Sequence, residues 1–368
     1  MASSAPKADH IRPNTVGMGL QAGSQALRFG WYFALKQAIE WQTSRQGPSA
    51  NASAPQKDRR NRPTLSEREI LADLSGLFLR DAKAVRDGVF PPLTDTGSPR
   101  AGIECARAML ADVPEAYRRR ENRDTTSART AVATSSPDAL PLPSYFTQDF
   151  HFQTGGYLTE ASARLYDVQV ETLFLGGAAP MRREALRPMA DFMRGRDQRK
   201  IALLDVACGT GRFLRDVRLT YPAMHLTGID LSAAYIAEAG RHMGDLRPAR
   251  WLTANAESIP LADASQDIVT SIFLFHELPP DIRRQVTAEM ARVLKPGGLL
   301  VFIDSLQIGD RPRWDGLLEA FPTRFHEPYY RHYAIDDLDA IFSAAGLAPR
   351  SAWTSFFAKV MVRCKLAG

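Results

Sequence analysis

The sequence predicts an α/β fold: a doubly wound sheet with a closing antiparallel hairpin, preceded by a helical extension. Three observations carry this. An apolar strand at 201–206 turns on Gly209 and Gly211 straight into a helix. Downstream, apolar runs near 224–229, 250–254, 267–273 and 298–304 alternate with helical patterns until two strands stand side by side at 348–354 and 357–364. Residues 1 to 140 hold only helical patterns separated by stretches rich in Pro, Ser and Asn. The expected division is therefore a helical extension with flexible linkers over 1–140 and the sheet domain over 145–368.

In the extension, residues 26–42 contain Leu27, Phe29, Trp31, Phe33, Leu35, Ile39 and Trp41. Their odd spacing also suits a strand, but Ala34, Lys36, Gln37, Ala38 and Glu40 favour a helix. It is too short, and too interrupted by Arg28, Lys36 and Glu40, to span a bilayer. Ser66 and Glu69 have capping-box spacing ahead of Ile70, Leu71, Leu74, Leu77, Phe78 and Val85. Ser98-Pro99 opens a third helix with Ile103, Met109, Leu110 and Val113 as apolar contacts. Segments 47–63 and 122–144 are the linkers. Helices of this kind cannot bury their apolar faces alone, so they are expected to pack on the sheet domain or on a second copy, as a homodimer. A further helix over 160–175, starting after Thr159 and ending at Gly176-Gly177, precedes the first strand.

At 368 residues and 45% apolar content the chain can bury a large core and is longer than one domain requires. The net charge of +5 arises before about residue 140, in runs such as Lys57–Arg62 and Arg118–Arg120. A basic arm suits nucleic acid or an anionic membrane surface, but these runs have no interleaved aromatics and no recognition motif. Solvated linkers, and no nucleic-acid partner, are expected. Cys105, Cys208 and Cys364 are odd in number and lack metal-like spacing, so neither a disulfide nor a metal site is expected. The opening residues MASSAPKADH have no apolar signal region, which predicts a cytoplasmic enzyme and leaves the Asn51-Ala52-Ser53 sequon without meaning.

The site starts at the first strand, where Ile201, Leu203, Leu204 and Val206 are apolar and Asp205 stands near the carboxyl end. Gly209 and Gly211 let the backbone approach a ligand where a side chain would collide. A dinucleotide fingerprint would need a third glycine at position 214, which is Leu214. The run D-x-A-C-G-T-G instead resembles the first motif of the class I S-adenosylmethionine-dependent methyltransferases. The likeness continues in order. Asp230 ends the second strand, where a carboxylate accepts both ribose hydroxyls. Asn255, Ala256 and Glu257 follow the third strand. In the family an acid or amide at the place of Asn255 pairs with the adenine amino group; Asn departs from the commoner Asp but keeps an acceptor. Asp267 opens the fourth strand, and RVLKPGGLLVFIDS supplies a helix end, the Lys295–Gly298 turn and the fifth. The closing hairpin likewise resembles this family's sheet and differs from a dehydrogenase sheet. The resemblance spans roughly residues 145–368 and lies nearest the quinone-biosynthesis-like group that methylates small molecules. It implies S-adenosylmethionine held by Tyr157, Tyr166, Asp205, Ala207, Gly209, Thr210, Gly211, Asp230, Leu231, Asn255, Ala256 and Phe273. Tyr157 and Tyr166 would cover the sulfonium, although Tyr166, on a helix with Leu165 and Val168, equally suits the core.

On the acceptor side, three histidine–aromatic clusters stand out: Phe150-His151-Phe152 with Gly155-Gly156-Tyr157, Phe273 to Glu277, and Phe325 to Tyr330. His276 directly follows strand four and is the expected base, with His151 and His326 as rivals; any one of them also serves as a hydrogen-bonded packing residue. Glu277 either orients His276 or belongs to the start of the helix at Pro279-Pro280. The stretch 305–333, with Trp314, Phe321, Phe325, Tyr329, Tyr330 and Tyr333, is too aromatic for a solvated loop and forms a lid or packs on the extension. O-, C- or S-methylation of a small molecule is permitted. S-methylation of a small thiol or sulfide is the rival within enzymes, and a methyltransferase-like scaffold without turnover the rival outside them. The run Phe275-His276-Glu277-Leu278 lacks the prolines of the amino-methyltransferase signature, which disfavours DNA as acceptor.

Overall fold

The structure, a computed structural model, describes residues 14–45, 65–94, 99–128 and 142–366. The sequence start, the 47–63 linker with its sequon and basic run, and residues 129–141 of the second linker lie outside the described residues. Seven strands form one sheet: β1 (Ala202–Val206), β2 (His225–Asp230), β3 (Arg250–Thr253), β4 (Gln266–Ile272), β5 (Leu294–Ser305), β6 (Leu347–Ser355) and β7 (Ala358–Lys365). Their order is β3-β2-β1-β4-β5-β7-β6, with β1 to β5 parallel and β7 antiparallel to both neighbours. Leu203, Leu204, Val206 and Ile268 are fully buried, as expected of strands covered on both faces. The chain order reverses between β1 and β4, so a crevice opens beyond their carboxyl ends.

Helices α1 (Thr15–Ser44), α2 (Glu67–Arg86) and α3 (Pro99–Asn122) precede the sheet. They are followed by α4 (Glu160–Leu173), α5 (Ala178–Arg183), α6 (Leu186–Met193), α7 (Arg212–Thr220), α8 (Ala233–Met243), α9 (Pro280–Val293), α10 (Asp315–Phe325), α11 (Tyr330–Tyr333) and α12 (Leu338–Ala344). Thr159 caps α4 as expected, accepting from the Ser162 N–H at 3.1 Å. The capping box also forms: the Ser66 N–H donates to Glu69 Oε2 at 2.9 Å.

Two elements differ from expectation. The first helix spans 15–44, not 26–42, because Asn14 caps it with Oδ1 accepting from the Gly17 N–H at 2.7 Å. Of its apolar residues, Leu27 is 78% exposed and Trp31 and Trp41 are also exposed, as is Ile103 on α3. Strand β5 begins at Leu294, ahead of the Lys295–Gly298 turn: Gln266 pairs with Leu294 and Ile268 with Leu299, so the turn is a bulge inside the strand.

The extension is part of the main core. Leu74, Leu77 and Val85 of α2, with Phe90 after it, are buried in one cluster with the strand residues. Asp81 of α2 lies 5% exposed and accepts a bidentate pair from Arg183 of α5 at 2.8 Å each, a bond from Gln21 at 2.7 Å and another from Gln25. Arg311 donates to Asp73 of α2 at 2.7 Å, which fastens the 305–333 stretch to the extension. Among the described residues no helix is long and apolar enough to cross a membrane.

Candidate active site

The crevice deepens into a chamber of about 830 Å³, open to solvent, beyond the carboxyl ends of β1, β2 and β4. One half is built from strand ends. The chain leaves β1 through Ala207 at φ +57 and Gly209 at φ +53. A Cβ at Gly209 would meet no protein atom within 4 Å, so this turn frames open space. Asp230 ends β2; its Oδ2 accepts from the Gly209 N–H and its Oδ1 from the Ser232 N–H, each at 2.9 Å. Burial raises its carboxyl to about 6, against the pull of those N–H groups. Leu231, Asn255, Ala256 and Phe273 complete this wall, with Tyr157, Tyr166 and Tyr235 meeting edge to face at 5.4 to 6.0 Å. Phe273, like Ala207, holds a left-handed backbone at a strand end, strain that the surrounding sheet sustains.

The other half is bounded by Tyr145, Phe146, Phe150, Leu274, Glu277 and Leu278. Glu277 accepts from the Tyr157 hydroxyl at 2.7 Å, and burial together with the charge of Glu327 lifts it above the ordinary carboxylate range. Behind it lies His276, 7% exposed, with Nδ1 2.5 Å from Asp304 Oδ1 and Nε2 3.8 Å from Glu277 Oε1. Burial alone would lower this histidine, but the charge and hydrogen bond of Asp304 outweigh it and hold His276 at about 9. Asp304, at the end of β5, is thus its orienting partner; Glu277 lies in a single turn, Phe275–Glu277, ahead of α9. The rings of Tyr330 and Tyr333 close over His276 at 6.0 and 6.1 Å.

The structure gathers Tyr157, Tyr166, Ala207, Gly209, Asp230, Leu231, Asn255, Ala256 and Phe273 at the chamber wall. It places three expected cofactor residues elsewhere. Asp205 is buried within β1 under the Thr270 hydroxyl at 2.6 Å, and burial brings its carboxyl to about 7. The Thr210 hydroxyl donates to Asp167 at 2.8 Å. Gly211 meets helix α8: a Cβ there would come within 2.8 Å of Ala239 and 2.9 Å of Trp251, so its smallness serves packing. Asn255 accepts from the Glu257 N–H and donates to Glu257 Oε1, both at 2.9 Å, which fixes the turn and leaves its oxygen one lone pair for a ligand. His326 faces Gln148 at 3.1 Å, and His151 lies 2.9 Å from Glu327.

Sequence reasoning missed Tyr235, Asp304 and Glu327. Asp304 had a signal, an acid closing the apolar run LLVFI of a buried strand. The stretch 305–333 packs on the extension side and over His276, and none of its described residues lines the chamber. Trp314 packs on Phe356 and Phe357 near the extension, whereas α11 covers His276.

Residues 203–298 match the family model of a methyltransferase domain. A ubiquinone/menaquinone biosynthesis C-methyltransferase of Methylobacterium nodulans is 34% identical over 165 residues, 44% of this chain and 63% of the relative. A malonyl-[acyl-carrier protein] O-methyltransferase of Hahella chejuensis is 38% identical over 99 residues, 27% of this chain and 34% of that enzyme. The chain thus spans less than two thirds of the length of either relative. Residues 203–298 are thus similar to a methyltransferase domain. A solved S-adenosylmethionine-dependent methyltransferase of Aquifex aeolicus is 21% identical over 45% of this chain and 83% of that one, with a TM-score of 0.36. The cofactor of such a domain is S-adenosylmethionine, and the methyltransferase domain fits it: open space over Gly209, a strand-end carboxylate at Asp230 and a ring cluster beside them.

Proposed function

We propose that the chain transfers the methyl group of S-adenosylmethionine to the oxygen or carbon of a small acceptor, within a methyltransferase domain at 145–368 that the 1–140 extension braces. The single observation that carries this is continuity: one chamber runs from Gly209, Asp230 and Asn255 to Glu277, Leu278 and Phe146. When bound, the cofactor supplies a methyl group activated by its sulfonium. Asp230 would accept from the ribose hydroxyls, and the faces of Tyr157 and Tyr166 suit the positive charge. Phe146, Phe150, Leu274 and Leu278 exclude water around the acceptor. As the new bond to the methyl carbon forms, the acceptor's proton passes to the Glu277 carboxylate, which faces the charged imidazole of His276 held in turn by Asp304.

A proton-accepting carboxylate at the chamber wall favours an O–H or C–H acceptor over a thiol, which is partly ionised near neutrality and needs less help. The relatives, named for C- and O-methyl transfer, support the same choice. The exposed Val16, Leu20, Leu27 and Trp31 of α1 support a homodimer through the extension. The test is incubation with radiolabelled cofactor and cell extract, followed by identification of the labelled product. No label transfer, or label on a thiol alone, would refute the reading.

A further inference from the structure

Behind the Glu277 wall of the chamber stands a group of side chains that methyl transfer does not require. Glu327 is 1% exposed, and neither of its carboxylate oxygens receives a hydrogen bond from the described residues. His151 Nε2 lies 2.9 Å from its Oε1 as an ion pair, and Oε2 has no donor at all. Oε2 of this buried carboxylate is thus left without a donor, which is costly unless a further cation completes the site. Glu277 approaches from the chamber wall, so that one donor atom each of His151, Glu277 and Glu327 lies within 4.8 Å of the others.

We infer that His151, Glu277 and Glu327 form a binding site for a divalent first-row metal cation behind the Glu277 wall of the acceptor pocket. Donors about 2.0 to 2.2 Å from such an ion stand roughly 3 to 4 Å apart, so the widest separation would have to close by about 1 to 2 Å. One imidazole and two carboxylates, with no thiolate, is a donor set for Zn²⁺, Mn²⁺ or Fe²⁺ rather than for Cu⁺. The surroundings resemble those of a metal site: Tyr157 donates to Glu277 at 2.7 Å and fixes its orientation. The sequence expectation of no metal came from cysteine spacing, whereas these ligands come from three separate segments: the 150–152 turn, the loop after β4 and the residues after α10. The cation site itself does not depend on methyl transfer. Its chemical use does rest on that reading: an acceptor oxygen beside Glu277 would be a further ligand.

The experiment is metal analysis of tag-free protein as purified, then calorimetric titration of the chelator-stripped protein with Zn²⁺ and Mn²⁺, with S-adenosylmethionine affinity measured in parallel. One equivalent should bind at about micromolar strength or tighter and raise the melting temperature. His151→Ala and Glu327→Gln should each weaken binding by roughly tenfold or more while the cofactor still binds. Absence of binding by either ion at about 100 µM overturns the inference. So does a stoichiometric site that both variants leave intact. If Glu327→Gln does not fold, His151→Ala, whose side chain is a quarter exposed, decides alone. Loss of metal binding with label transfer intact, or the reverse, separates this inference from the proposed activity.

Discussion

The two halves of the chamber are built by opposite means. The cofactor half uses consecutive residues at strand ends, Ala207 to Gly209, Asp230 to Leu231 and Asn255 to Ala256, and much of its chemistry is backbone. The acceptor half is assembled from side chains far apart in the chain, among them Phe150, Tyr157, Glu277, Asp304 and Tyr330. It also leans on the extension through Arg311 and Asp73. A shared sheet dictates the first half; tertiary packing dictates the second. Damage to packing should therefore reach acceptor chemistry before cofactor binding.

The largest effect tests whether the halves stand without the extension. Deleting residues 1–94 removes Leu74, Leu77, Val85 and Phe90 from the core, each worth about 1.5 to 3 kcal/mol, a total on the order of a domain's whole stability. Circular dichroism should show no cooperative melting, and cofactor binding should vanish; a truncated protein that still bound cofactor would make the halves separable. His276→Ala comes next. Turnover should fall about a hundredfold or more while S-adenosylmethionine affinity stays within a few fold, measured by label transfer and calorimetry on one preparation. On the cofactor side, Asp230→Ala should weaken cofactor binding by about 1.5 to 3 kcal/mol; unchanged affinity would remove Asp230 from the ribose.

A pH series sharpens the same point. Asp230, raised by burial to about 6, is ionised above that pH and protonated below it, and only the ionised form accepts from two hydroxyls. Cofactor affinity should be full at about pH 8 and decline as pH drops through about 6, and the decline should disappear in Asp230→Ala. The smallest effect belongs to Arg311→Ala, which breaks a partly exposed pair with Asp73 worth about 1 kcal/mol or less. It should raise the KM for acceptor and leave cofactor affinity alone; a change in cofactor affinity instead would contradict the division of labour.

The same contrast explains what could be read from the sequence. Strand positions followed from apolar runs, and the order Asp205, Gly209, Asp230, Asn255 followed from strand spacing, because parallel strands bring their ends to one line. Asp304 was legible in principle, yet its partner was not: that Nδ1 of His276 turns to β5 rather than to the neighbouring Glu277 depends on the register of β4 with β5. Glu327 stood in plain view within an aromatic run, but only folding shows that His151 meets one of its oxygens and that the other has no donor among the described residues. Thr210 and Gly211 belong to the motif by position, while their contacts go to Asp167 and Ala239, which no spacing rule reveals. For α1, an uncharged stretch without periodic apolar residues concealed the start that Asn14 sets.

The buried carboxylate of Asp81 also bears on how the chain comes to be folded. During synthesis α1 and α2 emerge first, carrying Asp81 with Gln21 and Gln25 gathered on it, while Arg183 follows 102 residues later. Until that arginine arrives the amino-terminal hairpin holds an uncompensated anion and an uncovered leucine face, a state with more to lose from solvent than to gain from itself. The anion is compensated only once α5, half-way along the chain, has been made, and closure over such a span is slower than the local pairing of α1 with α2.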